Sequence, residues 1–106
     1  IGPDDILFAM TFQPYRTEVL EVLQFASRRG ARTIGLSDSK ASPVFREADL
    51  GLYAPTHTPQ FFHSNAATTA LLESLCALMA SAGGEAVLAE IEAFNELRWQ
   101  SGVYQP

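Results

Sequence analysis

The stretch "MTFQPYRTEVLEV", residues 10–22, decides the fold, because an apolar run ends in it and an amphipathic pattern begins. The run "DILFAMTF" (5–12) is short, continuously apolar and preceded by a Pro-Asp-Asp turn, which is typical of a buried strand. After a polar turn, a helix is predicted from about Tyr15 to Arg29, with Gly30 as its left-handed cap. Its apolar residues recur at i, i+3, i+4 and i+7: Val19, Val22, Leu23 and Ala26.

The same alternation of strand and helix continues along the chain. "RTIGLSD" (32–38) predicts a second buried strand, and "LGLYAP" (50–55) predicts a third. Between them, "SKASPVFREA" (39–48) predicts a turn and a short helix, with Ser42 as N-cap and Pro43 as the first helical residue. Buried strands separated by helices indicate an α/β fold with a parallel sheet and right-handed crossovers.

The last part of the chain is predicted to be helical. A long apolar helix runs from about Phe61 or Ser64 to Ala82, where Gly83-Gly84 breaks it, and a last helix covers about 85–98. The first of these helices is apolar on more than one side, as in "ATTALLESLCALMA", so another surface must cover it. Self-association, as a homodimer or higher oligomer, is therefore expected.

Size and composition narrow the class of protein. The chain has 106 residues, enough for one small domain, and is treated as a single unit, 1–106. Its net charge of −5 argues against nucleic-acid binding through this segment. The single cysteine, Cys76, excludes an internal disulfide, and no uninterrupted apolar run reaches the length of a membrane span. The chain begins "IGPDD" without methionine, and we expect it to be a fragment or processed piece.

The carboxyl ends of the predicted strands define the expected binding edge, because ligands of parallel α/β sheets bind there. Three loops rich in hydroxyl, amide or imidazole groups meet at this edge: 11–16, 37–42 and 55–63. The first helix starts there, and its free N–H groups suit an anion. Thr11 and Gln13 add hydrogen-bonding groups, and Arg16 adds a charge. The alternative is that Gln13 or Thr17 only caps the helix while Arg16 is solvated.

Four other polar residues carry weaker signals. His57 and His63 flank an aromatic pair, and they are open to loop structure, sugar contact or, least of all, a metal. Asp38 is interpreted as a turn former, because no glycine-rich phosphate loop precedes it. Glu73, a conceivable general base, is favoured as an exposed helix residue. No catalytic residue, metal or cofactor is therefore predicted.

The ordered series of motifs in residues 4–55 resembles the SIS (sugar isomerase) domain, and within it the sugar-sensing domain of RpiR/MurR-type bacterial transcription regulators. The family pattern is a strand, Ser-x-Ser-Gly-x-Thr, a helix ending in Gly, a strand ending in Thr-Asp, Ser-Pro, a short helix and Ala-Asp. Thr11 and Gln13 stand at the two serines of the first motif, Pro14 at its glycine and Arg16 at its threonine. The three later motifs are matched by Ser37-Asp38, Ser42-Pro43 and Ala48-Asp49.

The resemblance implies a three-layer α/β/α domain, flavodoxin-like and doubly wound, of which this chain is the C-terminal part. It implies a phosphosugar ligand held by Thr11, Gln13, Arg16, Ser37 and Ser42. It also implies a cytoplasmic, non-catalytic effector domain, with DNA binding supplied by a helix-turn-helix elsewhere in the parent protein. A phosphosugar isomerase or related SIS enzyme is the alternative, and a structural module without a ligand is a third possibility.

Overall fold

The computed structural model describes residues 1–105, and its elements follow the order that the sequence predicts. Three strands alternate with two helices and a long helix follows: β1 (Ile6–Met10), α1 (Thr17–Arg28), β2 (Arg32–Ser37), α2 (Val44–Glu47), β3 (Leu50–Tyr53) and α3 (Ala66–Gln100). The chain divides into two compact units, Ile1–Thr69 and a second that starts at Ala70. That residues 1–106 form part of one domain stays a prediction.

The three strands form one parallel sheet in the order β1-β2-β3. β1 pairs with β2, and β2 pairs with β3, in both cases in parallel. Phe8 lies opposite Ile34, and Ile34 lies opposite Leu50. Helices α1 and α2 supply the two crossovers that parallel neighbours require. The predicted α/β fold with a parallel sheet is therefore confirmed.

Glycines at the centre of the sheet let α2 pack closely against it. Gly35 and Gly51 are register partners on β2 and β3. A Cβ atom on Gly35 would collide with Val44, and one on Gly51 would collide with Phe45. Because side chains alternate along a strand, the neighbouring residues of β2 and β3 point to the opposite face, which is apolar. That face carries Ile6, Phe8, Met10, Ile34, Leu36, Leu50 and Leu52, with Arg32 opposite Ile6 as its charged member.

Helix α1 buries only part of its predicted apolar face. Leu23 and Ala26 are fully buried, whereas Val22 is 50% exposed. Val22 lies with Val19 over a groove beside β1, which is an edge strand. Val22, although it lies on the predicted apolar face of α1, is therefore only half buried, because no further strand covers this groove in residues 1–105. Gly30 ends the helix with φ +83°, as predicted.

Helix α2 starts later than predicted. Its first residue is Val44, and Pro43, with φ −62°, takes the N-cap position that was predicted for Ser42. The Ser42 hydroxyl nevertheless accepts a hydrogen bond from the Val44 N–H at 3.3 Å. Ser42 thus still satisfies a free donor of the first turn, one residue further from the helix than expected.

Helix α3 joins the two predicted C-terminal helices. Its backbone departs from helical geometry at Gly84 (φ 63°, ψ −149°), where the sequence predicts a break. By length and composition α3 could cross a membrane, with a mean hydropathy of 1.4 over its most apolar 18 residues, and none of that window is buried. Such a helix in water leaves a large apolar surface for another protein surface to cover.

Candidate functional site

The carboxyl edge of the sheet brings the three predicted loops together. β1, β2 and β3 end at Met10, Ser37 and Tyr53, and the residues that follow β1 and β3 are hydrogen-bonded to the last two residues of β2. The Thr11 N–H donates to the Leu36 carbonyl at 3.2 Å, and the Ala54 N–H donates to the Ser37 carbonyl at 3.0 Å. The parallel ladders therefore hold the start of each loop at a fixed position.

Three of the predicted ligand residues form a buried hydroxyl cluster: Thr11, Ser37 and Ser42. The Ser37 hydroxyl donates to the Thr11 carbonyl at 2.7 Å, and the hydroxyls of Ser37 and Ser42 are hydrogen-bonded at 2.8 Å. The Thr11 hydroxyl accepts a hydrogen bond from the Arg16 N–H at 3.2 Å. This cluster ties the turn 11–16 to the end of β2 and the start of α2, so its hydroxyls hold these segments together beneath the surface of the edge.

Arg16 is the N-cap residue of α1, and its side chain is largely in solvent, 73% exposed. The side chain of this N-cap residue makes no capping hydrogen bond, and none from Gln13 or Thr17 is present among the described residues, so the half of the alternative in which one of them caps the helix does not hold. Its other half, a solvated Arg16, agrees with the structure. The guanidinium of Arg16 contacts the Glu18 carboxylate at 3.4 Å. The pKa of Glu18 is lowered, first by its own backbone N–H and then by the charge of Arg16. Glu18 is thus an internal anion at the start of α1.

Asp38 links all three loops. Its Oδ2 accepts hydrogen bonds from the Gln13 N–H at 3.2 Å and from the Thr56 hydroxyl at 3.0 Å. Burial acts to raise the pKa of Asp38, but the hydrogen bonds from Gln13, Thr56 and Tyr15 outweigh it and lower that pKa. The carboxyl is therefore ionised at neutral pH and pulls the loops after β1 and β3 towards the end of β2.

A polar cleft of about 180 Å³ opens beside Asp38. Its polar lining residues are Gln13, Asp38, Tyr53, Thr56, His57 and His63. The structure thus places both histidines beside one of the predicted ligand residues, Gln13. Within the described part of the chain, no three His, Cys, Asp or Glu side chains are grouped as a metal would need.

Sequence reasoning missed the central role of Asp38 and the presence of Tyr53 and Thr56. The sequence favours Asp38 as a turn former, whereas in the structure it accepts hydrogen bonds from the two neighbouring loops. The available signal was its position directly after β2, at the carboxyl edge. The hydrogen bond from Thr56 to Asp38 depends on how the loop after β3 folds back, and sequence periodicity carries no information about that.

The parallel α/β fold agrees with the family that comparison with known proteins identifies. The family model described as "SIS domain" matches residues 1–82, and the chain belongs to that family.

Two relatives identify the branch of the family. The chain is 33% identical over 72 residues to the uncharacterized HTH-type transcriptional regulator YbbH of Bacillus subtilis, a match covering 68% of this chain and 25% of the relative. The crystal structure of the sugar isomerase domain of an RpiR transcription factor from Sphaerobacter thermophilus superposes with a TM-score of 0.82 and 28% identity. That match covers 91% of this chain and 54% of the other. The chain is thus an SIS domain of the RpiR-regulator type and spans a quarter to half of these relatives.

Proposed function

We propose that this chain is the effector-binding domain of a bacterial RpiR-type transcription regulator and that its ligand is a phosphosugar, bound without catalysis. The observation that carries the proposal is the start of α1 at the carboxyl edge. The side chain of the N-cap residue makes no capping hydrogen bond there, and a guanidinium and a hydroxyl cluster lie beside the helix start. A phosphate at this point gains backbone donors, the helix dipole and a charge-assisted bond.

The proposed ligand residues are Thr11, Gln13, Arg16, Ser37 and Ser42. Their parts differ, because Arg16 is exposed whereas Thr11, Ser37 and Ser42 are buried and already hydrogen-bonded. Arg16 is therefore the residue that reaches the phosphate, and the buried hydroxyls hold the turn in the shape that binds it. Gln13 belongs to the turn and also lines the cleft, where it would contact the sugar.

The test is a binding measurement on the full-length protein. Sugar phosphates are screened by thermal shift, and the best one is titrated by calorimetry against wild type, Arg16→Ala and Thr11→Ala. Loss of a charge-assisted bond should weaken binding by about ten- to a hundredfold in Arg16→Ala. Arg28→Ala is the matched control, because Arg28 lies in the last turn of the same helix. Unchanged affinity in both Arg16→Ala and Thr11→Ala would show that the turn only starts the helix.

An isomerase is the second candidate, because SIS domains also occur in enzymes of that class. An acid or base positioned near the sugar is the minimum for such chemistry. Asp38, Tyr53 and the two histidines are the titratable side chains that line the cleft. Incubating the bound sugar phosphate with the protein and following its ¹H NMR spectrum separates the two functions. A sensor leaves the spectrum unchanged, and an isomerase produces the aldose–ketose pair.

The partners follow from the same proposal. Helix α3 exposes Leu78, Met79, Leu88 and Phe94, and a second copy of the chain would cover them. The proposed assembly is a homodimer or higher oligomer in the cytoplasm. DNA binding belongs to other parts of the regulator, because the acidic charge of this segment disfavours contact with phosphates.

A further inference from the structure

One face of the three-stranded sheet is covered by neither α1 nor α2. These two helices contact each other and lie on the same face, as two right-handed crossovers in the same direction across the sheet require. The opposite, apolar face, which we call the open face, includes Ile6, 62% exposed, and Leu50, 55% exposed. Parallel sheets are normally covered on both faces, so the open face is a surface that needs a partner.

The open face has a shallow, mainly apolar cavity of about 150 Å³ at the amino ends of the strands, away from the carboxyl edge. Its lining residues are Ile6, Arg32, Thr33, Ile34, Asp49 and Leu50. A cavity of this size accepts one large apolar side chain. Asp49 already accepts hydrogen bonds from Thr33, whereas Arg32 has no carboxylate within 4.0 Å among residues 1–105. The open face thus offers an apolar cavity beside an unpaired positive charge.

Helix α3 has the complementary properties. Leu78 and Leu88 are more than half exposed on it, and its charged residues are glutamates except for Arg98. A three-stranded sheet is about 14 Å wide and a helix about 10–12 Å across, so the open face has room for one helix. The 35 residues of α3 extend over about 50 Å, whereas a five-residue strand such as β1 spans only about 17 Å. Helix α3 is therefore long enough to reach beyond the sheet of its own copy.

We propose that α3 of one copy packs on the open face of a second copy, and that this exchange is reciprocal. The inference rests on the self-association given in the proposed function and names the surface that covers α3. Both surfaces remain exposed within one copy, and a twofold dimer covers both of them at once. An apolar side chain of α3 fills the cavity, and Arg32 pairs with a glutamate of α3.

The experiment mixes two variants of the full-length protein, each with one of the two surfaces disabled. Ile6→Glu with Leu50→Glu charges the open face, and Leu78→Glu with Leu88→Glu charges α3. Each variant alone should self-associate at least about ten times more weakly than wild type in analytical ultracentrifugation, because an unpaired charge in an apolar interface is costly. An equimolar mixture should form heterodimers, because the intact α3 of the first variant meets the intact open face of the second.

The control is Phe25→Glu, which charges a half-exposed apolar residue of α1, on the other side of the sheet. It should self-associate like wild type. Circular dichroism shows whether each variant is folded.

A cross-link tests the same contact with a conservative change. Leu50→Cys adds a thiol to the open face, and the native Cys76 supplies an exposed thiol on α3. A short bifunctional thiol reagent should join these two thiols between copies and give a dimer on a denaturing gel, and mass spectrometry identifies the linked peptides. The wild-type protein, treated in the same way, is the control. This test decides the matter if a glutamate variant does not fold.

The outcomes separate this inference from the proposals on which it rests. A wild-type monomer overturns self-association and this inference together, whereas the phosphosugar site keeps its own calorimetric test. Wild-type self-association of the folded open-face variant would show that α3 is covered by another surface, and would overturn this inference alone. Folded variants that do not associate on mixing, or a link between the open face and Cys76 that forms only within one copy, would overturn the exchange.

Discussion

At the scale of single residues, the buried hydroxyls at the sheet edge act together as one structural unit. Ser37 is fully buried, and its hydroxyl is hydrogen-bonded to both the Thr11 carbonyl and the Ser42 hydroxyl. Removing that hydroxyl leaves two buried polar groups with one partner fewer. The groups left behind are buried without a partner, and their desolvation lowers the free energy of unfolding. This loss is larger than the net contribution of an average hydrogen bond to stability.

Ser37→Ala should therefore lower the free energy of unfolding by about 1–3 kcal/mol, measured by urea denaturation. Ser27→Ala is the matched control, because Ser27 is exposed on α1 and its side chain has no hydrogen bond among those described. A Ser37→Ala variant as stable as the control would mean that the hydroxyl cluster does not hold the loops together.

Glu18 is a second residue whose role follows from its position. Its carboxylate occupies the start of α1, bound to its own N–H and near Arg16, where the ligand's phosphate is proposed to lie. The two anions compete for the same positive potential. Both side chains are well exposed, so solvent weakens the competition.

Glu18→Gln should strengthen phosphate binding by about two- to fivefold, a range typical of exposed charge pairs. Titration of inorganic phosphate and of the best sugar phosphate at low salt measures the change. Glu21→Gln, an exposed site one turn further along α1, should have a smaller effect. Equal effects of the two variants would attribute any gain to net charge alone.

At the scale of elements, the close packing of α2 on the sheet depends on glycine. Val44 is fully buried and lies where a Cβ on Gly35 would be. The Ala48 Cβ would also lie only 3.1 Å from the new atom. An added methyl group must push α2 outward, and the carboxyl-edge loop that precedes α2 would move with it.

Gly35→Ala should destabilise the protein by about 1–3 kcal/mol, the usual cost of overpacking a core. Gly2→Ala, at a position where a Cβ would meet no atom within 4 Å, should be close to neutral. Adding Val44→Ala to Gly35→Ala should recover part of the loss, because it vacates the colliding atoms. Urea denaturation of wild type, both single variants, the double variant and the Gly2→Ala control tests this, and a loss in the double variant equal to the sum of the Gly35→Ala and Val44→Ala losses would contradict it.

At the scale of the whole molecule, the exposed apolar surface of α3 is the feature that needs a partner. Leu78 is 68% exposed and Leu88 55% exposed on a helix that is apolar over most of its length. Burying such side chains between two copies of the chain would stabilise the assembly by about 25 cal/mol for each Å² of apolar surface removed from water.

Wild-type protein should therefore run as a dimer or larger assembly by light scattering at tens of micromolar, whereas Leu78→Glu with Leu88→Glu should shift it towards monomer. A charge placed in an apolar interface is costly unless it is paired, which is the reason for the shift. Glu73→Gln, an exposed position on the same helix, is the control. A wild-type monomer at these concentrations would overturn self-association. Binding to lipid vesicles would point to a membrane surface as the cover for α3.

The sequence by itself determined the order of the elements, the parallel sheet and the edge at which the loops meet. Local signals sufficed for these, because strand runs, helix periodicity and the glycines at 30 and 84 each act within a few residues. The ordered motifs also determined the family. Thr11, Ser37 and Ser42 were predicted to lie at the same edge, and the structure brings them together there.

Only the tertiary structure decided how the polar side chains at that edge are used. Asp38 became the link between the three loops because the register of β1, β2 and β3 sets the Gln13 N–H and the Thr56 hydroxyl within reach of one oxygen. Val22 became exposed because no further strand packs beside β1 in the described residues. Both outcomes depend on contacts between residues distant in sequence, and periodicity within one segment carries no information about such contacts.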